Sequence, residues 1–206
     1  MAWAIWLSYA TISAANIVTP GPANLNTLRR ALQFGFAPVL PTIFGNALGL
    51  AIGGILCAGG VAAFVVTSEA LWMTFRWLGV MYLGGLGLKL ILKRESIVLG
   101  AGTIQHISPQ TLFREAFLLA VTNPKALLFY LALFPQALDP SRSLWPQSIL
   151  LVLTYCSLSI LSLSSYALLA EKVRERFLTQ ARYDVFRVCS GLALLGFALM
   201  LAVQAS

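Results

Sequence analysis

Charge is what this chain of 206 residues has least of. Asp, Glu, Lys and Arg make up only 10% of it, against about a quarter in soluble domains, so it lacks the means to cover itself with a water-facing surface. Histidine occurs once, as His106 in a polar connection, which leaves no metal site built from histidine. The three cysteines, Cys57, Cys156 and Cys189, lie inside apolar runs without ligand spacing and read as small buried residues. Carboxylates are scarce as well. Glu69, Glu115 and Asp139 fall near the ends of apolar runs, so none is expected at mid-membrane, and a divalent cation would find no ligands there. No glycine loop ending in Lys-Ser/Thr is present to hold ATP, and no nucleophile–base pair supports an enzyme. No cofactor is expected. The net charge of +7 sits in short clusters between apolar runs, a placement that suits orientation in a membrane and not nucleic-acid binding.

What the chain has in quantity is apolar surface: 59% hydrophobic residues and a mean hydropathy of +0.83. Six apolar runs read as spans. They cover about Ala2–Leu28, Pro38–Val66, Leu71–Leu92, Phe113–Leu138, Trp145–Ala170 and Val188–Val203. The first begins Met-Ala-Trp-Ala-Ile-Trp without a basic leader, so no cleavable signal is expected. The connection from Lys93 to Arg114 divides one transmembrane domain into repeats of about 1–95 and 110–206. Three spans per half make the halves inverted. The expected fold is an all-α integral membrane protein of six transmembrane helices, two inverted three-helix repeats with broken first and fourth helices. Of the 14 Lys and Arg, eleven fall in or beside connections 1–2, 3–4 and 5–6, including Arg29, Arg30 and Arg187. Only Arg76 and Arg142 fall on the other side, which places both termini outside the cytoplasm.

Two stretches interrupt their spans in matching fashion: Val18-Thr19-Pro20-Gly21-Pro22-Ala23 and Val121-Thr122-Asn123-Pro124-Lys125-Ala126. Pro20, Pro22 and Pro124 open the helix, because proline removes a donor and clashes with the preceding turn. Such breaks at membrane depth are tolerated where they are packed in protein or line a cavity, and a matched pair marks a transporter's binding site. Thr19 and Asn123, each before proline, have the grammar of N-caps restarting a helix. Each restart would present free N–H groups and a positive dipole end. Lys125 is the only charge between Glu115 and Asp139. With the two helix ends it would form a cationic niche for a carboxylate; the alternative is that it hydrogen-bonds carbonyls freed by the neighbouring break. A substrate's ammonium, lacking an anionic partner, would rest on carbonyls, Asn side chains or aromatic faces.

Tyr9, Ser13 and Asn16 share one helical face leading into the first break, and Asn46 is the strongly polar side chain of the second span. The candidate substrate-binding set is therefore Asn16, Thr19, Gly21, Asn24, Asn46, Thr122, Asn123 and Lys125. A stripe of Tyr155, Ser159, Ser162 and Tyr166 along the fifth span serves either lining or packing. Gly45, Gly49 and Gly53 form a ridge for close helix approach, within the chain or between copies in a homo-oligomer.

At these residues the chain resembles the LysE/RhtB family of bacterial amino-acid exporters. The parts that carry the resemblance are Thr19-Pro-Gly-Pro-Ala-Asn24, Arg76-Trp-Leu-Gly-Val-Met-Tyr-Leu-Gly84, and Phe117 through Asn123-Pro-Lys125 to Leu133-Phe-Pro-Gln136. The resemblance implies a six-helix exporter of amino acids or similar small zwitterions in the bacterial inner membrane, driven by a proton or potential gradient. Competing readings are a cation or heavy-metal exporter of the same superfamily and a non-transporting membrane accessory protein.

Overall fold

Proline and glycine decide where the helices start and stop. The computed structural model describes all residues except 20, 61–67, 94–106, 140, 178 and 204–206. Pro20, His106 and the run to Val66 therefore lie outside, or partly outside, the described residues. Among those described, the secondary structure is helical, with no strand. The elements are α1 (Trp3–Val18), α2 (Pro22–Phe34), a 3₁₀ turn (Ala37–Val39), α3 (Leu40–Ala58), α4 (Glu69–Leu92), α5 (Pro109–Val121), α6 (Pro124–Ala137), α7 (Leu144–Phe177) and α8 (Gln180–Val203). Pro22, Pro109 and Pro124 each sit in a first helical turn, where a missing N–H costs nothing. α2 ends on Gly35 at φ 87°, a conformation that glycine adopts without strain.

Both expected breaks are present. α5 and α6 together are long and apolar enough to cross a membrane and bend by 50° at their junction. α3 with its leading turn (Ala37–Ala58) and α7 (over Leu144–Arg174) are each long and apolar enough to cross alone, while α1 and the Trp77–Leu92 part of α4 are shorter apolar helices.

The contacts give the helices their relative directions. α3 meets α7 antiparallel: Asn46 faces Ser159, Ala47 faces Cys156, and Gly54 lies against Val152. α4 meets α8 antiparallel as well, through Gly87 and Gly191, where a Cβ on either glycine would lie 2.8 Å from the other's carbonyl oxygen. By contrast, α3 runs parallel to α5, and α1 runs parallel to α7, with Trp6 bonded to Thr154 and Val18 to Tyr166.

Three expectations need correction. Gly45 and Gly49 are not free to join two copies. A Cβ on Gly45 would collide with the Phe113 backbone, and one on Gly49 would come within 2.6 Å of Ala120 Cβ, so both are spent on α5. Of the three ridge glycines, Gly53 alone faces open space. Second, most of the supposed basic connection Glu171–Arg187 is helix, because α7 continues to Phe177 and α8 begins at Gln180. Glu, Lys and Arg are good helix formers, so the helices outlast their apolar pattern. Arg187 is buried and its guanidinium donates to the carbonyls of Leu90, Ile91 and Lys93, closing the end of α4. Third, Arg29 and Arg30 do not close the first span as loop charges. They lie inside α2 and are 0% and 1% exposed.

One core cluster is aromatic and joins α1, α6 and α7 through Tyr9, Phe129, Tyr130, Phe134 and Tyr155. A second, around Ala31, Ile43, Leu163 and Tyr183, binds α2, α3, α7 and α8. The cavity described next lies near the aromatic cluster, at the level of the breaks.

Candidate functional site

A helix that stops inside a membrane leaves its last carbonyls without partners, and each must be satisfied from elsewhere. At the end of α1 every one is. The Ala15 carbonyl accepts from the Thr19 amide at 3.2 Å and the Thr19 hydroxyl at 2.8 Å. Lys125 Nζ donates to the carbonyl of Asn16 at 2.9 Å and to that of Thr19 at 3.2 Å. Asn24 Nδ2 donates to the Ile17 carbonyl at 3.1 Å, and the Tyr166 hydroxyl to that of Val18 at 3.0 Å. Donors from α6, α2 and α7 thus converge on one helix end. The ammonium lies at the negative end of the α1 dipole, a favourable position for a cation. Of the two sequence readings of Lys125, contact with carbonyls of the neighbouring break is the one observed.

The second break closes itself. The Thr122 amide and hydroxyl donate to the Leu118 carbonyl at 3.1 and 2.7 Å, and the Asn123 amide donates to that of Ala120 at 3.2 Å. Asn123 then caps α6 as expected, its Oδ1 accepting from the Lys125 amide at 3.1 Å. Thr19 does not act in the same way. The N-cap of α2 is Gly21, with Pro22 behind it and no side chain closing the end. The additional proline shifts the restart from Thr19 to Gly21, and the Thr19 hydroxyl turns back onto α1.

Between the breaks lies a cavity of about 40 Å³, room for a few waters. Asn16, Gly21, Asn24, Asn46, Asn123 and Lys125 line it, joined by Tyr155 and Ser159 of the α7 stripe. The Tyr155 hydroxyl donates to Asn16 Oδ1 at 3.0 Å, and Asn46 Nδ2 donates to Ser159 Oγ at 3.0 Å. Among the described residues, no carboxylate lines it. Thr19 reaches the site only through its carbonyl, and Thr122 stays on its own helix. Behind Tyr155 stand the rings of Phe129 and Tyr130, with centroids 4.7 and 5.1 Å away. Tyr166 of the same stripe holds the α1 end, so the stripe both lines and braces.

The sequence reading missed a buried ionic cluster. Arg29 donates to Glu115 Oε1 at 2.8 Å, and Arg30 to Glu115 Oε2 at 2.6 Å. Asn26 accepts from Arg29 at 3.0 Å, Gln33 accepts from Arg30 at 2.9 Å, and Tyr82 donates to the Glu115 carbonyl at 2.6 Å. Desolvating such a pair is expensive, so its geometry has to be good, and here the carboxylate is gripped by two guanidinium groups. The cluster ties α2 to α5, which are halves of the two different broken spans. A local signal existed: Asn26 and Gln33 stand three residues from Arg29 and Arg30 on α2, a spacing that places partners on one helix face.

A family model described as LysE type translocator matches residues 14–205. A Vibrio cholerae protein named as an uncharacterized membrane protein is 33% identical over 82% of this chain and 82% of its own length. The homoserine/homoserine lactone efflux protein of Salmonella typhimurium is 28% identical over 82% of this chain and 81% of its own. A leucine efflux protein of an Enterobacter species is 29% identical over 90% and 89%. No solved structure matches the chain.

Proposed function

This chain belongs to the LysE type translocator family, and on that premise we propose that it exports amino acids or closely related small zwitterionic metabolites across the bacterial inner membrane. The observation that carries this reading is the cavity where the two breaks meet, with Lys125 of one reaching the freed carbonyls of Asn16 and Thr19 in the other. Asn16, Gly21, Asn24, Asn46, Asn123 and Lys125 form the binding set, Thr19 adds its carbonyl, and Thr122 keeps the second break in shape. Carbonyls, amides and one ammonium suit the charged end of a zwitterion. Tyr155 and the rings behind it suit an uncharged side chain. Two relatives named for efflux of homoserine or its lactone and of leucine support the same substrate class.

The proposed architecture is one membrane domain of six spans: α1 with α2, α3, α4, α5 with α6, α7, and α8. Its repeats, about 1–95 and 110–206, are inverted. Support comes from the way the contacts exchange: α3 meets α7 and α4 meets α8 antiparallel, and the parallel pair α3–α5 has its counterpart in α7–α1. In such a fold one half rocks against the other around a fixed site. The Arg29–Arg30–Glu115 cluster joins the halves on one side of the cavity and the aromatic cluster joins them on the other, so these two seals would open in turn. Both termini are assigned to the outer side, with the basic residues drawing substrate carboxylates to the cytoplasmic mouth. Any pairing of copies would fall to the surface around Gly53.

Counterflow in proteoliposomes containing the full chain tests the function. The panel holds neutral amino acids including leucine and homoserine, cationic and acidic amino acids, and divalent metals. Exchange of neutral amino acids is expected; exchange of a metal alone, or of nothing in the panel, would overturn the proposal.

A further inference from the structure

We infer that the carbonyl pair of Asn16 and Thr19 is the docking point for a substrate's primary ammonium group, and that the Lys125 ammonium holds this position as a tethered competitor. The inference rests on the export reading and specifies how its site recognises substrate. Three observations lead to it. The group that sits on these carbonyls is itself a primary ammonium, at 2.9 and 3.2 Å, so the geometry accepts that chemistry. The pair belongs to the end of α1, whose dipole favours a cation, and the cavity lining has no carboxylate to offer a rival position. Two of the nearby side-chain acceptors already hold a donor: Asn16 Oδ1 from Tyr155 and Asn123 Oδ1 from the Lys125 amide.

Among the described residues, the Lys125 ammonium has backbone carbonyls as its partners, and it sits at the end of a four-carbon stem with several rotatable bonds. Two ammonium groups repel too strongly to share the pair, so an arriving amine displaces Lys125. Gly21 already lies beside the Lys125 ammonium, a Cβ there standing 3.8 Å from Nζ, and the uncapped start of α2 favours an anion. A substrate carboxylate placed there meets both Lys125 and the helix end. Recognition therefore depends first on a free amine and only second on the carboxylate. The substrate class is primary α-amino compounds, including those whose carboxylate is masked.

Equilibrium binding of labelled leucine to the full chain in lipid nanodiscs, with competing analogues, tests this. Leucinamide and leucine methyl ester keep the amine and lose the carboxylate; N-acetylleucine does the reverse. The amide and ester should compete within about tenfold of leucine, and N-acetylleucine should be weaker by about a hundredfold or more. In Lys125→Met, which removes the competitor, leucinamide should bind about tenfold more tightly, and leucine should gain less because it also loses the Lys125–carboxylate contact. Competition by N-acetylleucine equal to that of leucine, with the amide inactive, would overturn the inference and put Lys125 on the carboxylate from the start. Unchanged amide affinity in a folded Lys125→Met protein would overturn the competition. Failure of leucine, homoserine and every analogue to bind would instead bring down the export reading, a different result from selective loss of the amines.

Discussion

The two helix breaks share a threonine that turns back onto its own helix, at Ala15 and at Leu118, but differ in the donors that reach them from elsewhere. At the second, Thr122 turns back onto Leu118 and Asn123 caps α6, so the break closes with its own residues. At the first, the α1 carbonyls take donors from Lys125, Asn24 and Tyr166 on three other helices. The restarts differ as well. Asn123 brings an acceptor side chain to the N-cap, whereas Gly21 brings none. A self-closed break is a rigid mount, and it carries Lys125. A break closed by borrowed donors can exchange them, and it offers the carbonyls. Similar motifs in the two halves thus supply opposite parts of one site, donor from one and acceptors from the other.

The comparison can be sharpened by substitutions of decreasing effect. Glu115→Gln removes the charge that ties α2, and with it the first break, to α5. It takes a carboxylate away from two buried guanidinium groups, and a stability loss on the order of 3–5 kcal/mol is expected. Thermal unfolding in detergent would measure it, and an unchanged midpoint would show that the first break needs no such anchor. Gly49→Ala should cost about 1–3 kcal/mol by driving a Cβ into Ala120 on α5, the helix leading to the second break. The same unfolding measurement applies.

Asn123→Ala should then cost about 1 kcal/mol, the usual value of an N-cap, while Asn123→Ser keeps most of it. Tyr166→Phe removes one borrowed donor from the first break and should cost a similar 1 kcal/mol or so. The two should part in transport: Tyr166→Phe shifts the counterflow KM, and Asn123→Ser leaves it near that of the unmodified chain. Equal KM shifts would erase the distinction between mount and exchangeable end. The smallest effect is expected for Gly21→Ala. A Cβ there meets Lys125 Nζ and the Thr19 carbonyl oxygen at 3.8 and 3.9 Å, ordinary contact distances, so the unfolding midpoint should stay close to that of the unmodified chain.

How far the sequence revealed this arrangement follows from the range of each interaction. The break positions and the Asn123 cap were legible because proline in an apolar run and Asn before proline act within a few residues. Asn16 and Asn46 stood out as polar side chains in apolar surroundings, and both reach the cavity. The Thr19 cap was misread because one further proline moves the restart by two residues. Arg29 and Arg30 looked like loop charges because their partner Glu115 is 86 and 85 residues away, and nothing local announces the pairing. The glycine ridge was visible as a close-approach surface, yet its partner, α5 of the same chain, was set only by tertiary packing. Burial of Arg29, Arg30 and Arg187 also removes three of the eleven basic residues from the loops used to orient the chain, though the remainder still fall mainly on one side.

The claim on which the rest depends is that the two breaks form one substrate site through Lys125. Counterflow of leucine or homoserine by a Lys125→Gln protein, matched to the unmodified chain for expression and thermal stability in proteoliposomes, tests it most directly. The account predicts that the exchange rate falls by about a hundredfold or more while the protein stays folded. Exchange at the unmodified rate would contradict it, leaving Lys125 as a structural donor to the end of α1.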